Sequence, residues 1–72
     1  MQSFIVNRNV QTNGDYEVHN TTTGCSFMPR LENQVSLGNH LTCTGAVSAA
    51  RGVNPKLKIN GCYYCCNPCH TS

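Results

Sequence analysis

Four of the six cysteines lie within residues 62–69, as two abutting Cys-x-x-Cys units. Two thiolates separated by two residues on a tight turn can meet on one tetrahedral metal ion, and zinc sites are commonly built in this way. Residues 60–65, Asn-Gly-Cys-Tyr-Tyr-Cys, have the form of a zinc knuckle, with a glycine at the bend. We therefore predict Cys62 and Cys65 as metal ligands.

The remaining ligands are expected from upstream, because a site made of one local turn would organise little of the chain. Cys25 is the natural third ligand, and His19 is our choice for the fourth, since a loop can bring a His-x(5)-Cys pair together. Cys43, Cys69 and His70 remain rival fourth ligands. Of these, Cys43 is more simply a buried small apolar residue, because free cysteine packs readily in cores.

Cys65 and Cys66 are neighbours in the sequence. Adjacent α-carbons lie about 3.8 Å apart, which is short of the roughly 4.4–6.8 Å that disulfides prefer. These two cysteines are therefore not expected to pair with each other.

A chain of 72 residues needs a staple, because a single core of this size rarely supplies more than roughly 3–5 kcal/mol of net stability. Six cysteines indicate a disulfide scaffold in a secreted protein or a metal site in a cytosolic one. Residues 1–8 lack the basic start and apolar run of a signal peptide, and no apolar stretch approaches the roughly 18 residues of a membrane helix. We therefore expect a soluble, cytoplasmic protein with reduced thiols and zinc as the staple.

Export remains the alternative to a cytoplasmic location. In that case disulfides would staple the domain, and Asn20-Thr21-Thr22 would be a glycosylation acceptor. Six cysteines allow 15 connectivities, and the sequence does not choose among them.

Charge and composition argue against several function classes. The net charge is only +2 and 11% of residues are charged, which is not the dense basic stripe of a strong nucleic-acid binder. A redox role for Cys62 and Cys65 lacks the βαβ context of thioredoxin-like proteins. A cysteine-protease-like site needs a cysteine, a histidine and a group that orients the histidine, often a carboxylate. The chain has only three acidic residues, so such a site is not expected. We expect no enzymatic activity.

A β-hairpin is predicted from the N-terminal pattern. Residues 4–6 and 16–19 are rich in β-formers and flank Asn13-Gly14, a pair that favours a type I′ turn because both positions tolerate positive φ. Alternation along the second strand places His19 on the face opposite the apolar side chains.

Three further elements are each bounded by glycine or proline: a strand at 34–37 stopped by Gly38, a helix at 42–51 closed by Gly52, and a strand at 56–59. Thr42 or Thr44 is the predicted helix cap, and Leu41 and Cys43 are expected near the buried face. The result is a small α+β domain over residues 1–72, ordered β-β-β-α-β.

Six short segments form a signature along residues 13–72: 14–19, Cys25 with Met28-Pro29, Leu37-Gly38, Cys43 with Ala46-Val47, 60–65 and 69–71. Together they resemble a family of small uncharacterised bacterial cysteine-rich proteins. More distantly, a His and Cys loop, a short strand, an Ala-rich helix and a terminal Cys-x-x-Cys resemble the zinc-binding module of the DNA alkyl-phosphotriester repair protein Ada.

The resemblance to the Ada module implies a structural metal held by Cys25, Cys62, Cys65 and one more ligand. That module uses a second upstream cysteine where this chain would use His19, and its surface is more basic. Repair chemistry is not implied, because a shared fold does not carry function.

Two function classes are compatible with these features. The first is a non-enzymatic, zinc-stabilised interaction module that contacts a protein or nucleic acid through Tyr63, Tyr64 and residues 51–58. The second is a thiol-based protein that buffers metal or senses oxidant with the surplus cysteines Cys43, Cys66 and Cys69.

Overall fold

The computed structural model describes residues 1–71, and its backbone forms a mixed four-stranded sheet and one helix. The elements are β1 (Gln2–Asn7), β2 (Asp15–Asn20), β3 (Gln34–His40), α1 (Cys43–Val53) and β4 (Lys58–Gly61), with 3₁₀ turns at Leu31–Asn33 and Asn67–Cys69. The strand order in the sheet is β3-β1-β2-β4. The predicted α+β class and order of elements are confirmed.

The core lies between the sheet and α1. Phe4 and Val18 are fully buried on the sheet, and they pack with Ala46 and Ala50 of the helix. Small helix residues let α1 approach the sheet closely, and each large side chain stabilises the fold by about 1.5–3 kcal/mol when fully buried.

The hairpin is confirmed, but the predicted type I′ turn is wrong. β1 and β2 pair antiparallel with Val6 opposite Val18, and residues 8–14 form the connection. Gly14 has φ of 92°, whereas Asn13 has no positive φ and instead accepts the Asp15 N–H with its side-chain oxygen at 3.0 Å. The Asn13 side chain thus organises a longer loop, where a type I′ turn would need positive φ at both residues.

β3 does not stop at Gly38 as predicted. Phe4 of β1 pairs with Gly38 while Ile5 pairs with Ser36, so Leu37 is the extra residue of a β-bulge. Gly38 adopts φ of 78°, a conformation that glycine reaches without strain. The glycine therefore bends β3 and lets it continue to His40.

The helix extends two residues beyond its expected end, so Gly52 lies inside α1 and does not close it. The Asn54 N–H still bonds the Ala50 carbonyl at 3.2 Å. The helix ends there because a residue that precedes proline, here Pro55, avoids the helical conformation. Thr42 occupies the N-cap position, as one of the two predicted caps, without a side-chain hydrogen bond. Leu41, expected near the buried face, is exposed.

β4 begins two residues later than predicted and runs parallel to β2, with Tyr16 opposite Ile59 and Val18 opposite Gly61. Parallel strands need a crossover connection, and α1 lies in that connection. Because the two strands point the same way, the segment that follows Gly61 emerges beside the end of β2. This pairing brings the Cys62 turn next to His19.

Candidate metal centre

His19 lies near the end of β2 and is only 1% exposed. Val18 packs in the core with α1, and strand alternation places His19 on the opposite face of the sheet, opposite Ile5 of β1. The Nδ1 atom of His19 lies 3.5 Å from the Sγ of Cys65 and 3.8 Å from the Sγ of Cys25. The imidazole is therefore held between two thiols.

Cys25 reaches this position through a tight loop that Asn20 organises. The Oδ1 atom of Asn20 accepts the N–H groups of Thr22 at 2.9 Å and Thr23 at 3.1 Å, and its carbonyl accepts the N–H of Gly24. An asparagine side chain commonly folds the following residues in this way. The chain turns back on itself, so Cys25 lies against the strand it has just left.

Asn20 also belongs to the Asn20-Thr21-Thr22 sequon, but it is 5% exposed. Its Oδ1 serves the loop, and its Nδ2 donates to the Oε1 of Gln2 at 3.0 Å. The side chain is buried and organises the loop, so a glycan on its amide would be incompatible with this packing.

The turn after β4 places the other two thiols. Cys62 N–H donates to the Val18 carbonyl at 2.9 Å, and Cys66 N–H donates to the Cys62 carbonyl at 2.8 Å. The Asn20 N–H points at the Sγ of Cys65 at 3.3 Å. A backbone donor aimed at sulfur stabilises a thiolate.

Gly61 is required at the bend of this turn. A Cβ at this position would lie 2.8 Å from the Cys66 carbonyl oxygen and 2.7 Å from the Cβ of Cys69. The Cys66 oxygen is backbone, so it cannot rotate away. Only glycine lets the end of β4 and the Cys66–Cys69 segment approach this closely.

His19, Cys25, Cys62 and Cys65 form one cluster, and their ligand atoms all lie within 4.8 Å of one another. The Sγ atoms of Cys25 and Cys62 are 3.9 Å apart. Cys62 and His19 are buried, and the other two are half-buried. Three sulfurs and one imidazole nitrogen in this arrangement could hold a metal ion.

Burial sets the protonation states of Cys65 and His19 in this cluster. Burial raises the pKa of the Cys65 thiol, and the neighbouring Cys25 and Cys62 thiols raise it further, against the opposing effect of the Asn20 amide. Burial lowers the pKa of His19, which keeps the imidazole neutral and its lone pair available. A bound metal ion would supply the positive charge that three adjacent thiolates need.

The second nitrogen of His19 faces a carboxylate. Within residues 1–71, Nε2 is buried without a hydrogen-bond partner, and the nearest acidic oxygen is the Oε1 of Glu17 at 3.6 Å. Gln11 Nε2 donates to the same oxygen at 3.3 Å. Metal-bound histidines usually donate their other N–H to a carboxylate, which fixes the tautomer and the ring orientation.

Glu17 was not among the residues predicted from the sequence. The signal was available, because positions two apart on a strand share a face, and Glu17 precedes the predicted ligand His19 by two. Burial raises the pKa of Glu17, an effect that His70 opposes and Asp15 reinforces. A hydrogen-bond donor or a cation near Glu17 would therefore stabilise its ionised form.

The rival ligands lie outside the cluster. Cys43 and Cys69 are joined by a disulfide with a Cα–Cα distance of 6.3 Å, so the expectation that all thiols are reduced is wrong for this pair. The reason is tertiary, because the start of α1 packs against the Asn67–Cys69 turn. Cys43 is buried as predicted, and the Nδ1 atom of His70 lies 3.1 Å from the Gly61 carbonyl oxygen.

Cys66 is a free thiol that is 1% exposed and packs in the core. It does not pair with its neighbour Cys65, as predicted. Burial raises the pKa of the Cys66 thiol to about 11, so it is a protonated apolar side chain at neutral pH.

Among residues 1–71, no helix has both the length and the apolar character needed to cross a membrane. Comparisons of the chain with protein-family models, with curated proteins and with solved structures found no match.

Proposed function

We propose that the protein is a small, non-enzymatic zinc-binding protein, in which His19, Cys25, Cys62 and Cys65 hold one structural ion. The observation that carries this proposal is the convergence of four ligand atoms within 4.8 Å from three separate stretches of chain. A tetrahedral metal site needs this kind of convergence.

The distances support zinc in particular. Tetrahedral zinc with Zn–S of about 2.3 Å and Zn–N of about 2.0–2.1 Å requires about 3.8 Å between sulfurs and about 3.6 Å between sulfur and nitrogen. The separations are 3.9 Å for Cys25 to Cys62, 3.8 Å for Cys25 to His19 and 3.5 Å for Cys65 to His19. These three separations match tetrahedral zinc, and the other three ligand pairs lie within 4.8 Å.

The donor set supports a structural role. Three cysteines and one histidine are a common ligand set of structural zinc, whereas catalytic zinc keeps one position open for water or substrate. Here all four positions belong to the protein. The ion would tie the end of β2, the Cys25 loop and the Cys62 turn together, and the module would then present its surface to a partner.

Native mass spectrometry of protein purified without reductant tests the proposal. We expect one zinc ion per chain, since the four ligands form one cluster. Cys62→Ser should remove the ion because it removes a buried sulfur ligand. Cys66→Ala is the matched control and should retain the ion, because Cys66 lies in the core and outside the cluster. Protein without metal, or with several weakly held ions, would contradict the proposal.

A second candidate function, redox sensing or metal buffering by surplus thiols, is favoured by the Cys43–Cys69 disulfide beside the free thiol of Cys66. The same disulfide also fits an exported protein, since disulfides persist in oxidising compartments. Thiol counting by alkylation separates these roles from the structural site. A sensor changes its thiol count reversibly under mild oxidation, whereas a structural site with a buried Cys66 does not.

Glu17→Gln should weaken zinc binding by about tenfold or more, because loss of a carboxylate partner of a metal-bound histidine typically costs 10–100-fold in affinity. The measurement is competition with a chromophoric chelator. Glu32→Gln is the matched control, since Glu32 is an exposed carboxylate whose ion-pair partner is Arg30 at 4.0 Å. Equal zinc affinity in the two variants would show that Glu17 does not orient the histidine.

A further inference from the structure

A groove of about 260 Å³ lies beside the metal cluster, lined by Gln11, Glu17, Phe27, Cys62, Tyr63 and Tyr64. Three of its six lining residues are aromatic, one is a carboxylate and one is a proposed zinc ligand. None of them is lysine or arginine. The lining therefore combines π faces with negative charge.

The three aromatic rings form a connected, exposed group. Phe27 stacks on Tyr64 with ring centroids 4.5 Å apart, and Tyr63 meets Tyr64 edge to face at 5.2 Å. Each ring is more than half exposed. A small domain rarely leaves several large apolar side chains together in water unless they contact a ligand or partner.

The charge beneath the rings is negative. A zinc ion with three thiolates and a neutral imidazole leaves one net negative charge, and Cys62 of that centre forms part of the groove. Glu17, which lines the groove, adds a carboxylate whose Oε1 faces Gln11 and His19. Negative charge in the groove would repel phosphates. A cation would be attracted both by this negative charge and by the aromatic faces.

We propose that this groove binds the methylated ammonium group of a lysine side chain on a partner protein. A plain ammonium is strongly hydrated, and one carboxylate replaces only part of its water. Methyl groups need no hydrogen bonds and pack on aromatic faces. Because Phe27 and Tyr64 cover one face of each other, the methylated ammonium would pack on the faces that these rings turn outward.

The shape of the groove favours a side chain over a free small molecule. Sites for small molecules are typically cavities of about 300–1,000 Å³ that enclose most of the ligand. This groove is smaller, and its aromatic walls remain exposed. A partner protein can supply the remaining contacts outside the groove. The charge of the zinc centre rests on the proposed function, but the rings and Glu17 do not.

The test is an NMR titration of zinc-loaded protein with a fixed host peptide whose central lysine carries zero, one, two or three methyl groups. We expect shifts of the Phe27, Tyr63 and Tyr64 resonances, and at least tenfold tighter binding of a methylated peptide than of the plain one. Equal affinity across the series would overturn the proposal, as would stronger ring shifts with a single-stranded oligonucleotide.

Phe27→Ala and Tyr64→Ala should each weaken binding of the methylated peptide by at least tenfold. Val53→Ala is the control, because Val53 is also exposed but lines a different cleft, at the end of α1. Equal loss in all three variants would contradict a site at the rings. Zinc content is measured on the same samples. If the protein holds one zinc ion but does not bind the peptide, the result contradicts the groove proposal and leaves the zinc proposal intact. Protein without zinc rejects the zinc proposal whatever the peptide does.

Discussion

Stripping the proposed zinc ion with a high-affinity chelator should unfold the protein. Structural zinc contributes an apparent 10–16 kcal/mol or so in small zinc-binding peptides, whereas a core of this size supplies roughly 3–5 kcal/mol. Without the ion, nothing would bind the buried side chains of His19 and Cys62 to each other, and β2 would lose its crosslink to the turn that follows β4. The folded state would then lose its largest single source of stability.

Far-UV circular dichroism during chelation measures this loss, with metal analysis of the same sample. We expect the spectrum to change to that of a largely unfolded chain and to recover when zinc is restored. The control is the same chelator saturated with zinc beforehand, which should leave the spectrum unchanged. A native spectrum in protein verified to be free of zinc would show that the fold does not depend on the ion.

The site residues were accessible to sequence reasoning because short-range rules govern them. Cys62 and Cys65 stand out by their spacing, and strand alternation places His19 on the face of the sheet opposite Val18. The structure brings all three to Cys25 in one cluster, although metal binding itself remains a prediction. Glu17 could have been added by the same alternation, since it shares a face with His19.

Long-range features were not accessible in this way. No local pattern says that β4 runs parallel to β2 or that the start of α1 packs against the Asn67–Cys69 turn. The disulfide of Cys43 with Cys69 follows from that packing. The local errors have a different origin, because Gly38 supports a bulge as readily as a strand end, and the composition alone does not choose between them.

The double substitution Cys43→Ala/Cys69→Ala should destabilise the zinc-loaded protein by about 2–4 kcal/mol without removing the ion. The disulfide closes a loop across a sequence separation of 26, and such a crosslink restricts the unfolded chain. Neither cysteine belongs to the cluster of His19, Cys25, Cys62 and Cys65, so the proposed zinc content should stay at one per chain while the urea midpoint falls.

Urea denaturation at saturating zinc measures the effect of this crosslink, and a metal-free phosphine reductant supplies an internal control. Reduction should lower the midpoint of the natural chain towards that of the double variant, and it should leave the variant unchanged. If the variant also loses its zinc, the crosslink is needed to hold Cys62 and Cys65 in place, and the disulfide is part of the metal site. If the midpoint does not move, the Asn67–Cys69 turn is held by packing and zinc alone.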